Sequence, residues 1–164
     1  QDDENPPLWE TGAILRYLAS RYADDAFWPG ELLARTEVDR WAEWSKQNIA
    51  LGFTTPVFWR VVRTPAAERD PQAIAAAVTA LEQKLAIAEA RLAGSRYLVG
   101  DTFTLADIQF GHVLYRYFAI DIPRRPLPHQ NGSCARGGGG PSSEENASDL
   151  QGHNFCPSTK GGTR

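Results

Sequence analysis

The sequence has no methionine, only two cysteines in 164 residues, and no long run of apolar residues. A membrane helix needs about 18 or more such residues, and a secretory signal needs a basic segment followed by an apolar one, which the N-terminus does not show. The net charge of -3 lacks the basic surplus of a nucleic-acid-binding domain. We therefore expect a cytoplasmic protein that binds neither membranes nor nucleic acid.

The first residue is glutamine rather than methionine. A complete reading frame begins with methionine, so we expect that Gln1 was not the original start and that an upstream segment has been lost or processed away. The length of the chain itself suits one domain with a single hydrophobic core, since domains commonly run from about 100 to 200 residues.

Apolar residues recur at helical spacing in four regions. The predicted helices cover residues 11–22, 31–63, 71–93 and 105–120. Gly52 and Pro56 should bend or split the second helix, whereas Asp70, Pro71 and Gly94 supply clear start and stop signals for the third. The fourth helix is apolar on most sides, so we expect it to be buried at the centre of the core.

Threonine hydroxyls precede or open two of these helices. Thr11 is predicted to cap the first helix by accepting a hydrogen bond from a free backbone N–H. Thr104 should cap the fourth helix, with the Asp107 carboxylate reaching back to the Thr104 N–H in a reciprocal capping box. Thr104 and Asp107 are therefore interpreted as structural.

The composition changes after Pro128. Residues 129–164 contain a run of four glycines and almost no large aliphatic residues, so we expect a disordered tail. A frameshift and a native tail are both consistent with this change, and we favour the frameshift. Four possible zinc ligands lie there (His129, Cys134, His153 and Cys156), but they lack two close pairs and an apolar framework, so we predict no metal site.

Glu10 and Thr11 allow two interpretations. The start of a helix carries unpaired N–H groups and positive partial charge, which suit a ligand carboxylate, while the Glu10 side chain suits a neighbouring ammonium group. Together the two residues would match the zwitterion of an amino acid. The alternative is that Thr11 is only a cap and Glu10 only a favourable charge beside the helix dipole.

Two motifs in the right order resemble the cytosolic glutathione transferases. LWETGAILRYLASRY, residues 8–22, is similar to the segment L-x-E-S-x-A-I-L-R-Y-L-A that ends the thioredoxin-like domain of that family. GDTFTLADI, residues 100–108, resembles the capping motif that opens the buried helix of their all-helical domain. RTEVDRWAEW and LYRYFAIDIPRRPLPH also resemble bacterial members, so the resemblance spans about residues 8–128.

The resemblance implies a mainly α chain. It would consist of a remnant of the thioredoxin-like α/β domain (residues 1–23, the last strand region and the third helix), a linker (24–30), the all-helical C-terminal domain (31–128) and the disordered tail (129–164). It further implies a homodimer formed through the Thr11 helix and the region 31–63.

For the site, the resemblance implies that Glu10 and Thr11 bind the γ-glutamyl end of glutathione, a co-substrate whose sulfur attacks a small electrophile. It also points to an apolar electrophile pocket with six candidate residues: Trp44, Asn48, Phe58, Trp59, Tyr115 and Phe118. Arg63 and Arg116 are further candidates for binding an anionic group.

The segment that carries the thiol-activating Tyr, Ser or Cys in this family has no counterpart in the sequence. The thiolate is the nucleophile and a free thiol is mostly protonated at neutral pH. We therefore name no catalytic residue and expect the chain to be inactive alone, as a truncated transferase. The alternative is a non-catalytic helical interaction module of the same fold.

Overall fold

The computed structural model describes residues 6–137, and within that range the secondary structure is helical. Helix α1 spans Thr11–Tyr22, α2 Leu32–Trp44, α3 Leu51–Phe53, α4 Pro71–Ala93, α5 Leu105–Ala119 and α6 Pro128–Gly137. Among the described residues the backbone pairing of Tyr97 with Gly100 is an isolated bridge and no strand forms. The mainly α fold is thereby confirmed.

The second predicted helix is one continuous run from Leu32 to Arg63 whose geometry changes along its length. Two π-helical segments, Ser45–Ala50 and Thr54–Arg63, flank α3. The second segment contains Pro56, which has no backbone N–H to donate. Gly52 and Pro56 therefore mark a change of helical pitch rather than a break in the helix. π-Helical turns are rare and occur frequently at functional sites.

α5 is the central helix of the bundle. It packs against α1, α2, the first π-helical segment and α6, while α4 packs against α3, α6 and the two π-helical segments. Fully buried side chains from these elements form one core: Val38, Ile49, Phe53, Val57, Leu81, Leu85, Leu105, Val113, Leu114 and Tyr117. The predicted central position of α5 is confirmed, although Ile108 and Tyr115 on one side of it are each 37% exposed.

α5 begins with the predicted capping box. The Asp107 carboxylate accepts hydrogen bonds from the Thr104 N–H at 2.9 Å and hydroxyl at 3.0 Å, and from the Leu98 N–H at 3.0 Å. Burial raises the pKa of the Asp107 carboxyl, against the lowering effect of these hydrogen bonds. Thr104 and Asp107 therefore join the 95–104 loop to α5, a structural role.

The prediction of disorder from residue 129 onward is wrong for residues 129–137, which belong to α6. Glu89 on α4 accepts hydrogen bonds from the backbone N–H groups of His129 and Gln130, at 2.9 and 3.1 Å. Gln130 is fully buried and its amide donates to the Leu85 carbonyl. These contacts come from a helix more than 35 residues earlier, so local composition did not reveal them. Residues 138–164, with His153 and Cys156, lie outside the described part of the chain.

Candidate functional site

The candidate site is the N-terminus of α1, where the chain enters the helix in a strained conformation. Glu10 has φ 68° and ψ 115°, and among the described residues it is the only non-glycine residue with a positive φ. A left-handed φ of this kind costs a residue with a side chain about 1–2 kcal/mol. Strained backbone of this type clusters at ligand-binding sites, where surrounding contacts hold it in place.

Thr11 is the first residue of α1, and Glu10 occupies the N-cap position. The prediction that Thr11 is the cap is therefore wrong by one residue. The first helical hydrogen bond runs from the Ile14 N–H to the Glu10 carbonyl, at 3.0 Å. The Glu10 side chain makes no capping hydrogen bond to the helix, so the first-turn N–H groups point outward without an intrahelical acceptor.

The Glu10 carboxylate instead contacts a cation on the following helix. Its Oε2 lies 2.8 Å from the Nζ of Lys46, in the first π-helical segment. The hydrogen bond to Lys46, together with its charge, holds the pKa of Glu10 below its ordinary value, so the carboxylate is ionised at neutral pH. The Glu10 side chain is 54% exposed and can be reached from solvent.

α1 is fastened to α2 by Arg16. Its guanidinium donates to Asp39 at 2.6 Å and to Glu43 at 2.5 Å. The same guanidinium lies against Gly12, because a Cβ built at Gly12 would be 2.9 Å from the Arg16 Nη1. Gly12 is buried, and a larger residue there would force Arg16 to move. The N-terminus of α1 is thus held close to α2.

The N-terminus of α1 places a group that binds cations next to groups that bind anions. An ionised carboxylate is available for a cation, while the Thr11 hydroxyl, the first-turn N–H groups and the Lys46 ammonium are donors for an anion. Glu10 and Thr11 are both exposed. This arrangement can bind a small zwitterion, and the described residues at it include no group placed to act on a thiol.

Two of the six pocket candidates are accounted for by packing. The Trp44 ring lies 5.2 Å from Trp41 and 6.3 Å from Phe110, between centroids, and is partly buried against the core. The Asn48 amide donates to the Trp44 carbonyl at 3.2 Å, within the same helix. The contact with Phe110 places Trp44 on the side of the helix that meets α5, whereas the Asn48 hydrogen bond stays within its own helix.

The other four candidates lie on the second π-helical segment and the end of α5. Phe58 packs on Phe53 and Phe118 on Tyr117, with ring centroids 5.8 and 5.4 Å apart. The Arg116 guanidinium lies 5.8 Å above the Phe58 ring and so joins the two elements.

Trp59 and Tyr115 are the most accessible of the six. Trp59 is 47% exposed, with the Arg63 guanidinium 5.9 Å from its ring, and Tyr115 is 37% exposed. A cavity of about 640 Å³ between the second π-helical segment, α4 and the 121–125 segment is lined by none of the six candidates.

Lys46 was missed by sequence reasoning because its partner lies 36 residues earlier and no local pattern joins them. Among the described residues, no group of three or more His, Cys, Asp or Glu side chains could hold a metal ion. No described helix is long and apolar enough to cross a membrane.

Comparison with known proteins relates this fold to a known family. The family model described as "Glutathione S-transferase, C-terminal domain" matches residues 71–136. The curated glutathione S-transferase GstB of Escherichia coli K12 is 32% identical over 130 residues, which are 79% of this chain and 62% of that protein. The chain therefore spans less than two thirds of the length of this relative. Elongation factor 1-gamma 2 of rice is 30% identical over 69% of this chain and 26% of its own.

One solved structure matches this chain over a larger share of both proteins than the curated relatives do. The apo theta class glutathione S-transferase of Xanthomonas axonopodis pv. citri is 43% identical, with a TM-score of 0.77 over 84% of this chain and 73% of its own. The same enzyme with glutathione bound is 41% identical, with a TM-score of 0.77. The fold is thus of the glutathione transferase type. The chain belongs to the glutathione S-transferase family.

Proposed function

We propose that the chain binds glutathione through Glu10 and Thr11, and that in an intact relative this binding serves transfer of the glutathione sulfur to a small electrophile. The observation that carries the proposal is the N-terminus of α1, where an ionised, accessible carboxylate stands beside uncapped N–H groups and a hydroxyl. The γ-glutamyl end of glutathione has a free ammonium and a free carboxylate, which are the complementary groups. A relative with 41% identity has been solved with glutathione bound.

The binding step is tested with substitutions that change charge or hydrogen bonding but little volume. Glu10→Gln should weaken glutathione binding to the purified chain about tenfold or more, because it removes a charge-assisted hydrogen bond. Thr11→Val should weaken it several-fold, while Thr11→Ser keeps the hydroxyl and should retain binding. The dissociation constants of glutathione for wild type and each variant are measured by isothermal titration calorimetry.

Glu37→Gln is the matched control, since Glu37 pairs with Arg40 on α2 rather than with α1. It should leave the affinity unchanged. Absence of glutathione binding by the wild-type chain, or equal binding by wild type and Glu10→Gln, would contradict the proposal.

We further propose that the chain alone does not accelerate thiol conjugation. Among the described residues at the N-terminus of α1, none is placed to activate a thiol. The rate of reaction between glutathione and a chromogenic aryl chloride should therefore equal the uncatalysed rate. A clear acceleration that depends on Glu10 would overturn this part of the proposal.

For the electrophile, we propose Trp59 and Tyr115 as the exposed aromatic residues of the pocket, while Phe58 and Phe118 pack against the core. Trp59→Ala and Tyr115→Ala should weaken binding of an S-benzyl glutathione more than binding of glutathione itself, about threefold or more, because each removes apolar contact area. Titration of both ligands measures the difference.

Ile87→Ala is the control for this test, because Ile87 is 53% exposed on α4. It should affect neither ligand. An equal loss of affinity for both ligands in the aromatic variants would show that these residues do not contact the S-substituent.

We propose a homodimer through α1 and the helical run that begins with α2. Leu18 and Tyr22 on α1 are 44% and 70% exposed, and Leu32 and Leu33 at the start of α2 are 76% and 77% exposed. Exposed apolar side chains that form a patch are typical of a protein interface.

The second candidate function is a non-catalytic interaction module. The match to elongation factor 1-gamma 2 of rice favours it, because that relative is named as an elongation factor rather than as a transferase. A chain that unfolds cooperatively and shows no heat of binding with glutathione would favour this function over the transferase.

A further inference from the structure

We propose that Lys46 is a further residue of the glutathione site, and that its ammonium binds the γ-glutamyl carboxylate once the ligand's own ammonium has replaced it on Glu10. This inference rests on the proposed function of Glu10 and Thr11. It assigns to the helical domain a cation that neither the sequence motif nor the family comparison identifies.

The first observation is the position of the Lys46 ammonium over the first turn of α1. Its Nζ lies 2.8 Å from the Glu10 Oε2 and 4.0 Å from the point that a Cβ of Gly12 would occupy. An anion bound to the Thr11 N–H and hydroxyl would therefore lie within reach of the same ammonium. The flexible stem of lysine allows the ammonium to shift between neighbouring acceptors.

The second observation distinguishes Lys46 from Arg16, the other cation at the first turn of α1. Arg16 is held by two carboxylates, Asp39 and Glu43, which fasten α1 to α2. Among the ion pairs of the described residues, Lys46 has one carboxylate partner, Glu10. Arg16 would have to release α2 to reach a ligand, whereas Lys46 has to release only the group that the ligand itself occupies.

The third observation is the fit to the chemistry of the ligand. The ammonium and carboxylate of the γ-glutamyl group are attached to the same carbon, so the protein groups that bind them must be neighbours. Glu10 and Lys46 are in contact and carry opposite charges. When the ligand ammonium takes the place of Lys46 on Glu10, Lys46 is left beside the ligand carboxylate, and every charge keeps a partner.

The alternative is that the Glu10–Lys46 pair only pins α1 to the first π-helical segment. The two roles predict opposite changes in glutathione affinity when the charge of Lys46 is removed. If Lys46 only competes with the ligand for Glu10, removing its charge frees the carboxylate and leaves glutathione affinity unchanged or higher. If Lys46 binds the ligand carboxylate, removing its charge lowers the affinity.

The experiment compares two ligands on the 164-residue chain by isothermal titration calorimetry. The ligands are glutathione and glutathione whose γ-glutamyl carboxylate is converted to a primary amide. Lys46→Gln should bind glutathione about fivefold more weakly than wild type, the loss of one partly exposed ion pair. It should bind the amide analogue no more weakly than wild type does. Lys46→Arg keeps the charge and should bind glutathione close to wild type.

Lys84→Gln is the matched control, because Lys84 lies beside Gly52, with its Nζ 3.7 Å from the point that a Cβ of Gly52 would occupy. It should change neither affinity. Circular dichroism of each variant reports whether the helices are retained. A Lys46→Gln chain that binds glutathione as well as or better than wild type, or that loses equal affinity for both ligands, would overturn the role of Lys46.

These outcomes are distinct from failure of the proposed function. Wild-type chain that does not bind glutathione, or that binds it independently of Glu10, overturns the proposed function and the role of Lys46 together. Binding that depends on Glu10 but not on Lys46 overturns the role of Lys46 alone.

Discussion

At the scale of single residues, Glu10 combines a strained backbone with a carboxylate that forms an ion pair with Lys46. Its left-handed φ turns the chain into α1 while its side chain leaves the helix and contacts Lys46. A glutamate that capped its own helix would use its carboxylate on the first-turn N–H groups, as Glu31 does at the start of α2. Because Glu10 does not, both its carboxylate and those N–H groups remain available to a ligand.

Asp107 is a polar residue whose loss should lower the stability of the bundle. Asp107→Ala leaves the buried Leu98 N–H without its acceptor and removes the cap of α5, together worth about 3 kcal/mol. Urea unfolding of variant and wild type measures the free energy of unfolding.

Asp101→Ala is the control for that substitution. Asp101 is exposed and accepts one long hydrogen bond, 3.4 Å, from the Arg96 N–H. It should change the free energy of unfolding by less than about 0.5 kcal/mol, as surface substitutions usually do. If Asp107→Ala is as stable as Asp101→Ala, the buried cap is not what holds the loop to α5.

At the scale of elements, the position of α1 depends on charged contacts with α2. Arg16 joins α1 to Asp39 and Glu43, and Lys46 joins it to the first π-helical segment. One side of α1 carries exposed apolar residues instead of core contacts. The helix that forms the candidate site is therefore held to the bundle in part by partly exposed ion pairs.

Arg16→Met should loosen α1 while leaving the core helices intact. It keeps an unbranched apolar stem but removes both ion pairs, so amide hydrogen exchange should accelerate in residues 13–22 and not in α4 or α5. Glutathione affinity should fall as well, although Arg16 does not contact the proposed ligand. Hydrogen exchange by mass spectrometry measures the first effect.

Arg40→Met provides the comparison, since the Arg40 guanidinium pairs with Glu37 within α2. It should leave exchange in α1 close to wild type. Uniform acceleration across all helices in Arg16→Met would mean that α1 and the bundle unfold as one unit.

At the scale of the whole molecule, the exposed apolar residues of α1 and α2 form the surface that we assign to dimerisation. Leu33→Glu should convert a dimer to a monomer, because a two-fold interface contains each residue twice and the substitution buries two unpaired charges. Sedimentation velocity at several protein concentrations gives the mass.

Ile87→Glu introduces the same charge on α4, at a residue that is 53% exposed, and should remain dimeric. A wild-type chain that sediments as a monomer at all concentrations would contradict the interface. A dimer that survives Leu33→Glu would place the interface elsewhere.

Local signals determined most of the helix bounds. The predicted ranges 11–22 and 71–93 coincide with α1 and α4, and 105–120 ends one residue beyond α5. The same type of signal predicted the Thr104–Asp107 capping box. Periodicity, caps and proline act within a few residues, so they can be read without knowledge of the fold.

The sequence by itself determined the helices and the α5 cap and indicated the family, while the binding role of Glu10 and Thr11 stays a prediction. The tertiary structure decided the left-handed turn at Glu10, the partnership of Glu10 with Lys46, and the helical start of the expected tail at Gln130. The physical reason is how far apart in the sequence the interacting groups lie. Helix signals depend on neighbours three or four residues apart, whereas these contacts join groups 36 and 45 residues apart, which only the packing of the bundle brings together.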